Sequence, residues 1–204
     1  MDQGLFITFE GIEASGKSTQ AVALARALGD RAVLTREPGG TPLGRRVREI
    51  LLDAETTPIP DVEALLFLAD RAQHLHEVVR PGIAAGRIVL SDRYQDSSMA
   101  YQSVGRGVGD LIPSVFRHIG GLAPDLTILI DLDVDVAIER LRSRGAANRL
   151  DAEAPAFHGR VRQAFLNLAA ADPSRFEVFD GAKDVASLSA EIVERVKRRF
   201  GGRV

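Results

Sequence analysis

Cysteine and tryptophan are both missing from this sequence, and aromatic residues make up only 5% of it. Without cysteine there are no disulfides, no thiolate nucleophile and no cysteine-based zinc site. No apolar run reaches the length of a membrane span. The first apolar strand follows the N-terminus almost directly, which leaves no room for a signal peptide and points to the cytoplasm. Lysine is scarce: Lys17, Lys183 and Lys197 are the only ones, and arginine supplies the other positive charges. The net charge of −2 gives no overall pull towards nucleic acid. No guanine-reading N-K-x-D motif occurs, and no Ser/His/Asp or Cys/His arrangement stands out. The histidines, His74, His76, His118 and His158, lack metal-ligand spacing. His74 and His76 fall on different faces of one helix, as surface positions.

What is present begins with size. A chain of 204 residues, 45% of them apolar, is enough for one α/β domain over residues 1–204 and is not disordered. Its most informative stretch is Gly11 to Ser18, G-I-E-A-S-G-K-S, which fits the phosphate-binding pattern G-x-x-x-x-G-K-[ST] at every fixed position. The apolar run Leu5 to Phe9 before it reads as a buried strand. Val22, Leu24, Ala25 and Leu28 after it are spaced as a helix face. Gly11 and Gly16 let the backbone curl its N–H groups inward at phosphate oxygens, and the opening of the helix adds more. Lys17 is placed to neutralise the β- and γ-phosphates, and Ser18 to offer its hydroxyl to Mg²⁺.

Further strands are expected at Ala32 to Thr35, Ile88 to Leu90, Leu126 to Leu132 and Phe176 to Phe179. Helices are expected at Leu43 to Leu52, Ser97 to Gln102, Leu111 to Ile119, Val134 to Arg144, Pro155 to Ala170 and Val185 to Phe200. A longer helix begins at Asp61 as N-cap and stops at Pro81-Gly82. This alternation implies a parallel sheet covered on both faces, with ligands outside the carboxyl ends of its strands. The glycine loop, Arg36-Glu37, Asp92-Arg93 and Asp131 each follow a strand and should gather at that edge.

Either Asp92 or Asp131 can serve the magnesium shell. Asp92 is favoured because Arg93 beside it can hold a transferred phosphoryl group. Arg140, Arg142, Arg144 and Arg149 surround the break at Gly145-Ala146-Ala147-Asn148, the composition of a lid that brings positive charge to phosphates. A nucleotide acceptor is already anionic at neutral pH, so catalysis reduces to aligning two phosphates and screening their repulsion.

Several stretches together resemble bacterial thymidylate kinase. They are F-E-G-I-E-A-S-G-K-S-T from Phe9, T-R-E-P-G-G-T from Thr35, L-L-F-L-A-D-R from Leu65, D-R-Y-Q-D-S-S-M-A-Y-Q from Asp92, P-D-L-T-I-L-I-D-L from Pro124 and N-R-L-D from Asn148. The resemblance implies a three-layer P-loop NTPase fold, a five-stranded parallel sheet flanked by helices, with a lid over about 144–156. It implies transfer of phosphate from ATP to dTMP with Mg²⁺. ATP would lie on Gly11, Ile12, Glu13, Ala14, Ser15, Gly16, Lys17, Ser18 and Thr19, with Arg140 and Arg144 from the lid side. Ser18 and Asp92 would hold the metal.

On the acceptor side, the resemblance puts Glu13 at the sugar 3′-hydroxyl, Arg36, Arg93 and Arg48 near the monophosphate with Pro38 beside them, and Phe67 stacked on thymine. Arg71 would bond thymine O4, and its spacing from Phe67 puts both on one helix face. Ser97, Ser98 and Gln102 would line the nucleotide, and Tyr101 would crowd the 2′ position and select deoxyribose. The catalytic set would be Lys17, Arg93, Glu13 and a lid arginine, Arg149 first and Arg144 second, since the glycine loop itself carries no arginine. Ser103 departs from the glycine frequent in relatives, which leaves Arg106 without an assigned role. The resemblance also implies a homodimer through the long helices, which the apolar residues from Val62 to Val79 permit. Two rivals remain at this point: a kinase of the same fold acting on another deoxynucleotide or a deoxynucleoside, and a nucleotide switch without transfer activity.

Overall fold

The computed structural model describes residues 4–145 and 148–204, so Ala146 and Ala147 of the expected lid break lie outside the described residues. In chain order the elements are β1 (Leu5–Glu10), α1 (Lys17–Leu28), β2 (Ala32–Arg36), α2 (Pro42–Leu52), α3 (Pro60–His74), α4 (Arg80–Ala84) and β3 (Ile88–Asp92). They continue with α5 (Gln95–Ser98), α6 (Leu111–His118), β4 (Leu126–Asp131), α7 (Val134–Arg144), α8 (Pro155–Ala171), β5 (Phe176–Asp180) and α9 (Val185–Phe200). The strands form one parallel sheet in the order β2-β3-β1-β4-β5.

Alternation along β1 assigns its two faces. Leu5, Ile7 and Phe9 pack with Ala21 and Leu24 of α1 and with Leu188, Ile192 and Val196 of α9. Phe6 points the other way, against Leu75, Val79, Val89 and Tyr94. Leu129 joins Val161 and Phe165 of α8 on that second side. Burial of these apolar faces drives the three-layer stack. Thr8 and Thr127 are polar yet buried on the second face. Their hydroxyls lie 3.0 Å apart, and Thr127 Oγ1 accepts from Arg175 Nη1 at 2.7 Å. Arg175 also grips Asp96 at 2.6 and 3.1 Å, which ties the approach to β5 to β4 and α5. Arg203 Nη2 donates to the Gly4 carbonyl at 3.3 Å, bringing the two ends of the described chain together at the amino end of β1.

Both ends of the helix expected from Asp61 differ from the sequence expectation. Asp61 is not the cap of α3. Ile59 occupies that position, and Pro60 takes the first turn, where no N–H is needed. Asp61 falls within the first turn, where its charge suits the helix dipole. Nor does Pro81 end the helix. A π-helical turn at Leu75–Val79 shifts the hydrogen-bond register, and a new α-helical segment starts at Arg80 with Pro81 in its first turn. The expected helix from Ser97 is divided in the same way. It begins at Gln95 and passes into a second π-helical segment at Met99–Gly105.

Candidate active site

The carboxyl ends of β1, β2 and β3 open onto a cavity of about 220 Å³. Its phosphate end is the turn after β1. Gly11 has φ of 140°, and a side chain there would meet the Ile130 carbonyl at 2.5 Å. Gly16 has φ of 99°, and nothing lies within 4 Å of where its Cβ would be. Ala14 also adopts a positive φ, so the loop curls as the motif requires. Lys17 Nζ donates to the Ile12 carbonyl at 3.1 Å and faces the cavity. Burial and the neighbouring Arg93 bring its pKa down to about 8. Ile12 itself is in the core, Thr19 is exposed on α1, and the Ser15 hydroxyl is buried without a protein partner among the described residues. Arg140 reaches the loop from α7, donating to the carbonyls of Ala14 and Gly181 at 3.3 and 3.0 Å.

Ser18 donates its hydroxyl to Asp92 Oδ2, while Asp92 Oδ1 is buried with no partner among the described residues. A hydroxyl beside an unsatisfied carboxylate oxygen fits a hard cation that takes oxygen ligands. Asp131, the other carboxylate considered, is engaged. Arg162 clasps both of its oxygens, at 2.8 and 3.0 Å.

Arg93 is the hub. Its guanidinium donates to Glu13 Oε1 at 2.9 Å, Ser97 Oγ at 2.9 Å, the Gly11 carbonyl at 3.1 Å and the Tyr101 hydroxyl at 3.2 Å. It also lies over the Tyr101 ring, 4.9 Å from the centroid. Tyr101 in turn donates to Glu13 Oε2 at 2.6 Å. Burial pushes Glu13 up, but Arg93, then His158, Lys17 and Tyr101, hold it down at about 2. Glu13 is therefore an ionised acceptor. Glu10 beneath it accepts from Tyr94 N at 2.8 Å and Ser97 Oγ at 2.5 Å, and burial with Asp96 nearby lifts its pKa to about 7.

The opposite end is built by α3 and the segment after α5. Phe67 lines the cavity and also packs with Val47, Leu51 and Leu150, so it serves both core and site. Arg71 is buried. It donates to Glu37 Oε2 at 2.8 Å, the Tyr94 carbonyl at 2.9 Å and Ser98 Oγ at 3.0 Å. Its Nη1 has no partner among the described residues. Gln102 Nε2 donates to Glu63 Oε1 at 3.0 Å. Arg36, Pro38 and Arg48 line the wall between, where Arg48 Nη1 donates to the Pro38 carbonyl at 3.1 Å and the Glu37–Pro38 peptide is cis.

The structure separates the two lid arginines. Arg144 lines the cavity, as do Asn148, Leu150 and Asp151. Arg149 lies outside it, bonded to Glu63 Oε2 at 2.6 Å and to the Leu51 carbonyl at 3.2 Å. Arg106, without a role in the sequence reading, bridges Glu63 and Glu153.

Of the two histidines expected at the surface, His76 is exposed but His74 is buried, and so is His158, for which no position was expected. His74 sits between Glu37 Oε1 and Thr35 Oγ1, each at 2.7 Å. His158 lies 3.5 Å from Glu13 Oε2. Glu37, expected at the strand edge with Arg36, has no individual role in the sequence expectation, and Glu63 is not singled out there at all. Glu37 stands within R-E-P-G-G-T beside Arg36, a signal that was available. His158 and Glu63 sit on helices with no local pattern to mark them.

A family model for thymidylate kinase matches residues 9–192. A curated thymidylate kinase of Deinococcus radiodurans is 48% identical over 204 residues, covering 98% of this chain and 99% of that protein. One from Leifsonia xyli subsp. xyli is 50% identical over 207 residues, covering 98% and 96%. The crystal structure of thymidylate kinase from Ehrlichia chaffeensis superposes with a TM-score of 0.78 at 33% identity, covering 96% of this chain and 99% of that one. With these matches running nearly end to end, and with the glycine loop, Arg93 and Phe67 opening on one cavity, the chain belongs to the thymidylate kinase family.

Proposed function

We propose that this protein transfers the γ-phosphoryl group of ATP to dTMP, giving dTDP for dTTP synthesis. The observation that carries this is a single cavity with a phosphate cradle at one end and a base-sized slot at the other. Lys17, Ser18 and Asp92 lie at the first end; Phe67, Arg71 and Gln102 lie at the second. Arg93 stands between them.

The geometry supports the following division of labour. The N–H groups of Gly11 to Thr19 and the start of α1 bind the ATP phosphates. Ser18 and Asp92 would hold a magnesium ion, which would supply further positive charge to the phosphates. Lys17 and Arg93 screen the approaching anions, with Arg36 and Arg48 at the monophosphate. Glu13, kept ionised, accepts the sugar 3′-hydroxyl. Tyr101, fixed by its bond to Glu13, occupies the space a 2′-hydroxyl would need. Phe67 stacks on the base. No general base is required, because the acceptor phosphate is already an anion. Among the lid arginines, Arg144 is the one that faces the phosphates, and Arg149 clamps the lid segment to Glu63. The protein works in the cytoplasm as a homodimer, with exposed Val62 and Leu65 on α3 as part of its contact face.

A coupled ADP-release assay tests this reading. ADP formation should depend on ATP, Mg²⁺ and dTMP together, and fall with dCMP or thymidine as acceptor. Equal or better use of thymidine favours a deoxynucleoside kinase, and ADP release indifferent to any acceptor favours a nucleotide switch.

A further inference from the structure

Glu63 is a buried carboxylate on α3 that touches neither phosphate loop nor metal ligands. Its Oε1 accepts from Gln102 Nε2 at 3.0 Å and from Arg106 Nε at 3.2 Å, and its Oε2 accepts from Arg149 Nη2 at 2.6 Å. Burial pushes its pKa up, but Gln102, Arg149 and Arg106 outweigh that and hold it low. An ionised carboxylate can only accept hydrogen bonds. The carboxamide of Gln102 must therefore turn its NH₂ group to Glu63, which fixes the plane of the amide and leaves Oε1 as its free acceptor. Gln102 lines the cavity, and no donor among the described residues reaches that oxygen.

Beside it, Arg71 contributes Nη1, a buried donor without a partner among the described residues. The cavity lined by Phe67, Arg71 and Gln102 thus offers a free donor and a free acceptor from neighbouring elements. A base edge that presents a carbonyl next to a ring N–H, the imide edge of thymine or uracil, satisfies both. Cytosine presents an amine and an unprotonated ring nitrogen, the reverse pattern.

We propose that Glu63 is the specificity-determining positioning residue of this site: it locks the Gln102 amide so that only an imide-edged pyrimidine is accepted. This rests on the reading that dTMP is the acceptor. Arg106 and Arg149 keep the Glu63 carboxylate ionised and in place, so two guanidinium groups outside the cavity enforce the choice made within it.

The test compares kcat/KM for dTMP, dUMP and dCMP. In Glu63→Gln the residue at 102 is free to turn. The preference for dTMP over dCMP should fall by roughly ten-fold or more, because a mispaired polar edge is what costs the wrong base its affinity. The dTMP to dUMP ratio should stay as in the wild type, since both share the imide edge. The exchanged pair, Glu63→Gln with Gln102→Glu, puts an acceptor-only group at 102 and should restore the preference, which a merely structural role for Glu63 does not predict. Unchanged discrimination in Glu63→Gln, or no restoration in the exchanged pair, overturns the inference. Should either variant not fold, the wild type carries the test through the side-chain amide NMR signals of Gln102. Those protons should exchange slowly and keep their positions when dTMP is added, and a large displacement would place the NH₂ group on the base and sink the proposal. Absence of dTMP turnover in the wild type defeats the functional reading itself, which is a separate outcome.

Discussion

Arg93 holds its backbone at φ of 72°, a left-handed conformation that costs a non-glycine residue about 1–3 kcal/mol. The cost is offset by what the conformation reaches: one guanidinium touches Glu13, Ser97, Tyr101 and the glycine loop. Lys17 is the second fixed charge. Lys17→Ala should lower kcat by about 10²–10³, the loss typical of one preorganised charge at a transition state, with dTMP binding nearly intact. Steady-state kinetics with calorimetric binding of dTMP checks both halves. Asp70 gives a stability prediction. Burial and Glu37 raise its pKa from 3.8 to about 6, so its ionisation costs stability fully above that pH, and the cost fades as pH falls towards 3.8. Asp70→Asn keeps an acceptor for Gly39 N. It should therefore raise Tm at pH 8 and lose that advantage by pH 4, as thermal melts across the range can show.

At the scale of elements, the parallel sheet and its glycine loop were legible in the sequence because apolar runs and motif spacing are local. The ends of α3 were not, because Pro60 and Pro81 act through hydrogen-bond register, which a π-helical turn can reset. The surface position expected for His74 failed for a different reason. His74 is made polar-satisfied by Glu37 and Thr35, partners distant in sequence, so its burial had no local sign. Phe67 and Arg71 were singled out as a pair by the family resemblance, with their spacing on one helix face in support, whereas the Glu63 carboxylate that orients Gln102 across the fold was not. Arg175 is a long-range tie of the same kind. Arg175→Met leaves Asp96 buried and unpaired, and should cost about 3–5 kcal/mol in urea unfolding with little change in KM. At the lid, Arg144→Ala should lower kcat more than it weakens dTMP binding. Arg149→Ala should act mainly on the acceptor KM, because it releases the segment from Glu63 and Leu51.

For the whole molecule, the surface opposite the core face of α2 and α3 is unusually apolar. Leu43, Ile50, Ile59, Val62 and Leu65 are all exposed. Leu65→Asp, at a position 48% exposed, should leave the protomer folded and shift the mass measured by light scattering from dimer to monomer. A monomeric mass for the unaltered protein would remove the dimer from the reading.

The bond from Arg203 to Gly4 has a practical consequence. Both ends of the described chain emerge from the base of the sheet, at the far side from where nucleotides enter. An affinity handle or surface linker at either end should leave substrate access unobstructed, and a circularly permuted version joined there should still turn over.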